Sequence, residues 1–130
     1  MKKILFLLLA VMLLTACGQE KENDREAVYV NITAEEAKQI MDIEEGYIIL
    51  DVRTQEEYDQ GHIPGATQIS HEEIEEKAED VLTDKNQLIL VYCRSGRRSK
   101  IAAEVLVELG YTNIREFGGI IDWSYEVEKP

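Results

Sequence analysis

Two short apolar stretches constrain the fold more than any other feature of the sequence. "YIILD" at residues 47–51 is apolar up to its last residue, and "LILVY" at residues 88–92 is apolar throughout. Runs of this kind are typical of strands that are covered on both faces. Helical patterns and turns lie between and around the two runs, so the sequence predicts an α/β domain with a mostly parallel sheet.

The remaining elements are predicted from shorter signals. Capping-box spacing, in which Ser or Thr precedes Glu by three positions, marks helix starts at Thr33, Thr54 and Ser70. Further strands are predicted at 28–32, 66–69 and 113–117. Helices are predicted at 33–41, 54–60, 70–82, 97–109 and 120–127. On the fourth of these helices the predicted buried face consists of Ile101, Ala102, Val105, Leu106 and Leu109.

Cys93 comes directly after the second apolar run and just before the fourth predicted helix. A helix start offers unpaired backbone N–H groups and a partial positive charge, which favour a thiolate over a thiol. Gly96 permits a tight turn with inward-pointing N–H groups, and three arginines follow Cys93 within five residues. The sequence thus predicts an anion cradle at the tip of the thiol. The alternative, a structural cysteine on a core strand, leaves the flanking "RSGRRS" unexplained.

Three blocks of the sequence carry a family resemblance. Cys93–Ser99, "CRSGRRS", resembles the Cys-x-x-Gly-x-Arg active-site loop of rhodanese-like sulfurtransferases. Ile49–Ala66 is similar to that family's Asp-Val-Arg and Gly-His-Ile-Pro-Gly-Ala segments, and Leu109–Trp123 is similar to its closing segment with a Gly-Gly pair. The blocks stand in family order over about residues 28–127. The resemblance implies a three-layer α/β/α rhodanese-like domain around a central, mostly parallel five-stranded sheet.

The resemblance also implies a mechanism. Cys93 is the implied catalytic nucleophile: its thiolate takes the sulfane sulfur of a small anionic donor such as thiosulfate, and the resulting persulfide passes that sulfur to cyanide or a thiol. The implied substrate-binding residues are Arg94, Ser95, Gly96, Arg97, Arg98 and Ser99. Their backbone N–H groups would hold the persulfide, and the Arg97 or Arg98 side chain would bind the donor. No metal or organic cofactor is required.

Four residues carry weaker predictions. Asp51 ends the first apolar run, so it should lie near the same sheet edge as Cys93. The resemblance implies that Asp51 and Arg53 form an ion pair that supports the site; the alternative is a capping carboxylate and a surface arginine. Ser99 has two open roles, a hydroxyl donor to the cradle or the start of the helix. In the resembling turn His62 packs and forms structural hydrogen bonds, which disfavours it as a catalytic base.

Loop length separates sulfur transfer from phosphate chemistry on this fold. Related phosphatases use Cys, five residues and then Arg, whereas the sixth residue after Cys93 is Ser99. The shorter loop fits a single sulfur atom, so phosphatase and arsenate reductase functions are disfavoured. Two alternatives to a free-standing enzyme stay open. One is a persulfide carrier that acts with a protein partner, and the other is a redox sensor that uses the same thiol.

The start of the chain predicts export. Lys2 and Lys3 precede an apolar run from Ile4 to Leu14, which falls short of the ~20 residues that span a bilayer. The run ends in Leu14–Cys17, "LTAC", which resembles the lipobox of bacterial lipoproteins. In such proteins the cysteine carries the lipid and becomes the new N-terminus. An uncleaved membrane anchor and a plain secretory signal are the alternatives.

This interpretation divides the chain into three parts. Residues 1–16 are the signal peptide, residues 17–27 comprise the lipidated Cys17 and a flexible tether, and residues 28–130 form the rhodanese-like domain. The predicted location is extracytoplasmic, with the lipid anchored in the bacterial cell membrane. Because the lipid would occupy Cys17, no internal disulfide is predicted, and Cys93 is the lone thiol of the mature chain.

The net charge excludes one class of partner. It is −12 for the whole chain, and removal of residues 1–16, with two lysines and no acids, makes it −14. Nucleic acid needs a basic protein face, so nucleic-acid binding is not predicted.

Overall fold

The computed structural model describes residues 28–130. The predicted signal peptide, Cys17 and the tether lie outside the described residues. Five strands form one sheet: β1 (Val30–Asn31), β2 (Ile48–Asp51), β3 (Thr67–Gln68), β4 (Ile89–Cys93) and β5 (Ile114–Gly119). Their order is β1-β5-β4-β2-β3, and every neighbouring pair is parallel. The predicted α/β architecture with a parallel five-stranded sheet is confirmed.

Four α-helices connect the strands: α1 (Ala34–Ile43), α2 (Gln55–Asp59), α3 (Ile74–Val81) and α4 (Arg97–Glu108). Two of the predicted caps form. The Thr33 hydroxyl accepts the Glu36 N–H at 3.1 Å, and the Glu36 carboxylate accepts the Thr33 N–H at 2.8 Å. The Thr54 hydroxyl likewise accepts the Glu57 N–H at 3.2 Å. These bonds satisfy N–H groups that the first helical turn leaves without a partner.

The third predicted cap does not form. Residues His71–Glu73 make a 3₁₀ turn before α3, and the Ser70 side chain caps no N–H of it. Instead the Ser70 hydroxyl donates to the Arg53 carbonyl at 3.3 Å, which ties the segment after β3 to the segment after β2. A tertiary hydrogen bond has replaced the local one that the spacing favours.

The last predicted helix, 120–127, is also wrong. Only Ile120–Asp122 is helical, as a 3₁₀ turn. Trp123 then turns into the core, with its indole N–H donating to the Glu126 carbonyl at 3.0 Å. Beyond it the backbone of Glu128 pairs with His62 in an antiparallel bridge. Burial of the indole and this pairing outweigh the helical tendency of the segment.

The buried face of α4 is rotated about the helix axis relative to the face that the sequence predicted. Ile101 is 37% exposed, whereas Ala103 is fully buried. The buried stripe of α4 is Ser99, Ala102, Ala103 and Leu106. The stripe starts at Ser99 rather than at Ile101, because the hydroxyl of Ser99 is turned toward β4 and β5.

Two hydrophobic clusters cover the two faces of the sheet and give it three layers. Along β4, Val91 and Cys93 face α3 and α4, while Leu90 and Tyr92 face the side of α1 and Trp123. This alternation follows from the two-residue period of a strand. It places the Cys93 thiol under the start of α4. In the part of the chain from residue 28 onward, no helix is both long and apolar enough to cross a bilayer.

Candidate active site at Cys93

The Cys93 thiol lies at the carboxyl edge of the sheet, beneath the first turn of α4. Cys93 is the last residue of β4 and only 1% exposed. Gly96 is the N-cap of α4 and has φ = +106°, a left-handed conformation that glycine adopts without strain. This turn aims the Gly96 N–H at the Cys93 Sγ atom, 3.0 Å away. The loop thus places backbone donors on the sulfur.

The loop shifts the ionisation of this sulfur. Burial by itself would raise the pKa of the Cys93 thiol, but hydrogen bonds from the Ser99 hydroxyl and from the backbone N–H groups of Ser99, Gly96 and Ser95 outweigh it, so the pKa is lowered. Donors that bind the charged form stabilise it even in a dry site. A buried thiol with a lowered pKa is suited to nucleophilic chemistry rather than to core packing alone.

The end of β5 supports the loop from behind. Cys93 pairs with Gly119 after a register shift in the β4–β5 ladder. A Cβ atom on Gly119 would lie 1.9 Å from the Arg94 carbonyl oxygen, and this oxygen also accepts the Ile121 N–H at 3.2 Å. Gly119 of the Gly-Gly pair at 118–119 therefore has a physical role: the absence of a Cβ there lets the backbone of β5 pack directly against the active-site loop. The sequence offered the pair only as part of a family block.

The three arginines of the loop have different surroundings. The Arg98 guanidinium forms two hydrogen bonds with the Glu57 carboxylate, at 2.6 and 2.9 Å. This bidentate ion pair joins α4 to α2, and Glu57 is a residue that sequence reasoning missed. The side chains of Arg94 and Arg97 are exposed. Of the two arginines predicted to bind an anionic donor, Arg97 is therefore the one that the structure leaves exposed.

The Arg98–Glu57 pair makes stability depend on pH. The hydrogen bond from Arg98 lowers the pKa of Glu57 from 4.5 to about 2 despite partial burial. The pair therefore stabilises the fold fully above about pH 4.5, and this contribution is lost as pH falls toward 2. We expect Glu57→Gln to lower the midpoint of chemical unfolding at neutral pH, with the difference from wild type disappearing over that acid range. A difference that persists unchanged at low pH would contradict this assignment.

Asp51 and Arg53 form a buried ion pair on the opposite face of the sheet from Cys93. The Asp51 carboxylate accepts from the Arg53 guanidinium at 2.7 Å and from the Tyr92 hydroxyl at 2.6 Å. Arg53 also donates to the Gly61 carbonyl at 2.7 Å. Because Tyr92 is the residue before Cys93, this network fixes the backbone at the end of β4. The ion pair that the resemblance implied is present, and it does not contact the sulfur.

Asp51→Asn is expected to destabilise the protein by about 3–5 kcal/mol, because it leaves the Arg53 charge buried without an opposite charge. Chemical unfolding would measure the loss. Gln55→Ala, which removes only the exposed hydrogen bond from Gln55 to Asp59, is the control and should change the stability by less than about 0.5 kcal/mol. A loss for Asp51→Asn as small as the control's would contradict the role of the pair.

Ser99 does not start α4, which begins at Arg97 with Gly96 as its N-cap, but its hydroxyl does lie at the cradle. It is the third residue of α4, fully buried, and its hydroxyl lies 3.3 Å from the Cys93 sulfur. The same hydroxyl donates to the Glu116 carboxylate at 2.6 Å. Glu116, on β5, is only 2% exposed and was missed by sequence reasoning. The available signal was its place two residues after Ile114, at an inward position of a strand where a charged side chain is rare.

His62 makes structural contacts with Tyr58 and Glu128. Its ring stacks on Tyr58 with the centroids 3.7 Å apart, and its Nδ1 atom lies 3.0 Å from the Tyr58 carbonyl oxygen. Its backbone pairs with Glu128. These contacts hold the turn after α2 against the C-terminal segment.

The fold and the loop place the protein among α/β domains that present a cysteine at the carboxyl edge of a parallel sheet. The model of the rhodanese-like domain family matches residues 33–126. The chain therefore belongs to the rhodanese-like domain family.

Named relatives point to sulfur chemistry. Thiosulfate sulfurtransferase PspE of Escherichia coli is 42% identical over 73 residues, which cover 56% of this chain and 70% of that protein. The putative sulfur carrier protein YrkF of Bacillus subtilis is 36% identical over 112 residues, covering 85% of this chain and 60% of that protein. A rhodanese-like domain protein from Staphylococcus aureus has a solved structure that is similar to this one, with a TM-score of 0.67 and 30% sequence identity. The match covers 78% of this chain and 98% of that chain. These likenesses support sulfur transfer, with a donor and an acceptor of sulfur as substrates.

Proposed function

We propose that this protein is a sulfurtransferase that carries sulfane sulfur, through a persulfide on Cys93, from a small anionic donor such as thiosulfate to a thiol or cyanide. The observation that carries the proposal is the Gly96 N–H placed 3.0 Å from the Cys93 sulfur, in a loop that lowers the pKa of the thiol. The sulfurtransferase named among the relatives acts on thiosulfate by its name, which supports this donor.

Two displacements complete the reaction. The Cys93 thiolate attacks the sulfane sulfur of thiosulfate; a new S–S bond forms, the bond between the two thiosulfate sulfurs breaks, and sulfite leaves with the electron pair. The acceptor then attacks the outer sulfur of the persulfide, and its bond to the Cys93 sulfur breaks with the electron pair returning to Cys93. Thiolate is regenerated, and neither step needs an outside oxidant or reductant.

The loop and the residues that support it have different tasks in the reaction. Its backbone N–H groups stabilise negative charge on the thiolate and on the outer sulfur of the persulfide without having to reorganise. The exposed Arg94 and Arg97 attract the anionic donor on a chain that is otherwise strongly acidic. Asp51 and Arg53 hold the end of β4 through Tyr92. Arg98 contributes by joining α4 to α2 rather than by binding the donor directly.

Mass spectrometry and turnover together test the proposal. Incubation of the full chain with thiosulfate should add the mass of one sulfur atom, localised to the Cys93 peptide, and cyanide should remove it with formation of thiocyanate. Arg97→Ala should raise the KM for thiosulfate more than it lowers kcat. Lys77→Ala, which removes an exposed cation of α3 that pairs with Glu73, should leave both unchanged. Absence of the added sulfur with thiosulfate and also with polysulfide would refute the proposal.

A persulfide carrier is the second candidate function, and the likeness to the putative sulfur carrier of Bacillus subtilis favours it. A carrier would hold sulfur on Cys93 in the same way but release it only to a protein partner. The two candidates separate in one assay: a carrier gains sulfur on Cys93 without steady turnover of cyanide, whereas the enzyme turns over.

We also propose that the protein is a lipoprotein held outside the cytoplasm at the cell membrane. The support is the sequence of residues 1–17, with its basic start, its apolar run and "LTAC". Cys17→Ser should move the protein out of the membrane fraction and abolish incorporation of labelled fatty acid. Cys93→Ser is the matched control and should stay in the membrane with its label.

A further inference from the structure

We propose that Glu116 is a positioning residue that sets the pH at which Cys93 becomes nucleophilic, because it competes with the sulfur for the single proton of the Ser99 hydroxyl. The inference deepens the proposed function, since it concerns the same thiol. The experiments below measure ionisation of Cys93 and not sulfur transfer. The role of Glu116 and the proposed sulfurtransferase activity can therefore be refuted independently.

The geometry of Ser99 creates the competition. Its hydroxyl carries one proton and lies close to several acceptors. The Glu116 carboxylate is the nearest at 2.6 Å, the Gly96 carbonyl lies at 3.0 Å, and the Cys93 sulfur at 3.3 Å. A carboxylate is the strongest of these acceptors. When the Ser99 hydroxyl donates its proton to Glu116, the lone pairs of its oxygen face the Cys93 sulfur. The oxygen can then accept a hydrogen bond from the protonated thiol.

Glu116 is held where it can compete. Its carboxylate accepts a second hydrogen bond from the Gly118 N–H at 2.8 Å, and only 2% of the residue is exposed. Within residues 28–130, no lysine or arginine forms an ion pair with it. A buried carboxylate in this position depends on its few donors, so the Ser99 proton matters to it.

Ionisation of Cys93 therefore has a consequence for Glu116. When the thiol loses its proton, the Ser99 hydroxyl must turn toward the sulfur to stabilise the thiolate, and Glu116 loses that donor. The two negative groups also lie on either side of one hydroxyl, and like charges disfavour each other. Glu116 thus opposes the lowering of the Cys93 pKa by the cradle and moderates it.

The other charged groups near the pair come from every neighbouring element. Arg98 of α4 lies close enough to interact with the charge of Cys93, but it is paired with Glu57 of α2. Tyr29, before β1, lies within reach of the Glu116 charge. Lys100 and Asp122 line the groove that Glu116 borders. These groups all remain in the variants below.

The pH dependence of alkylation at Cys93 is the first test. Iodoacetamide labelling of the full chain, followed at the Cys93 peptide, gives the midpoint of thiol ionisation. We expect Glu116→Gln, which keeps the shape and the bond from Gly118, to lower this midpoint by roughly one pH unit. In a Ser99→Ala background the same substitution should shift it by less than half as much. Glu104→Gln, which removes an equal charge from the exposed side of α4, is the control and should shift nothing.

A midpoint that stays the same or rises in Glu116→Gln would overturn the proposal, and so would an equal shift in the Ser99→Ala background. Carbon-13 NMR of the Glu116 carboxyl in the unmodified protein supplies a test that does not depend on any variant folding at this position. Its resonance should show a step at the Cys93 midpoint, and the step should vanish in Cys93→Ser. Absence of the step would equally overturn the assignment.

Discussion

Cys93→Ser is expected to abolish sulfur transfer, with turnover reduced by roughly 10⁴-fold or more, as is typical when a catalytic nucleophile is removed. The serine oxygen can accept the Gly96 N–H as the sulfur does at 3.0 Å, so the loop should keep its shape. Oxygen forms no persulfide, and a hydroxyl ionises far above neutral pH. Thiocyanate formation measures the rate, and intact mass shows whether sulfur still becomes attached.

Thermal unfolding is the control for this variant. The melting temperature should stay within a few degrees of wild type, since a buried thiol and a buried hydroxyl differ little in volume. Residual transfer at more than about one part in a hundred, in a chain that is folded, would show that another group carries the sulfur.

Gly119→Ala is expected to lower activity more than a methyl group added at any other glycine of residues 28–130. The added Cβ would lie 1.9 Å from the Arg94 carbonyl oxygen and 2.4 Å from the Ser95 nitrogen, both of them backbone atoms. The active-site loop must move away from β5, at a cost of about 1–3 kcal/mol or more for overpacking. A displacement of about 1 Å at the cradle should lower kcat by roughly 10²-fold.

Gly118→Ala is the matched control, because Gly118 is constrained by its backbone conformation and not by close neighbours. It has φ = +83°, and nothing lies within 4 Å of a Cβ there. Alanine in that conformation costs about 1–2 kcal/mol of strain but pushes on no atom of the loop. We expect Gly118→Ala to lose stability with only a small change in kcat. Equal losses of kcat in both variants would contradict the close-packing role of Gly119.

Much of the fold could be predicted because local and global signals agree. The continuous apolar runs at 47–51 and 88–92 became the central strands β2 and β4. The caps at Thr33 and Thr54 formed because their partners lie within the same turn. Ser70 and the segment 120–127 were mispredicted for the opposite reason, since each found a tertiary partner that spacing along the chain does not show.

The candidate site also has a part that could be predicted from the sequence and a part that could not. The loop from Cys93 to Ser99 could be proposed from the sequence, because its glycine, its arginines and its place before a helix are all local. The contacts that organise it are not local. Glu57 and Glu116 lie 41 positions from Arg98 and 17 positions from Ser99, respectively. Only the parallel topology brings these carboxylates to the loop. The inward strand position of Glu116 marks it as unusual, but nothing in the flanking sequence of either carboxylate indicates its partner.

The most direct test of the account is the pH dependence of Cys93 alkylation in the unmodified full chain. The inward-facing N–H groups of the loop predict a midpoint clearly below the ~8.5 of a free cysteine, together with fast labelling at neutral pH. A midpoint at or above that of free cysteine would mean that burial dominates over the hydrogen bonds, and sulfur transfer through a Cys93 thiolate would then lose its physical basis.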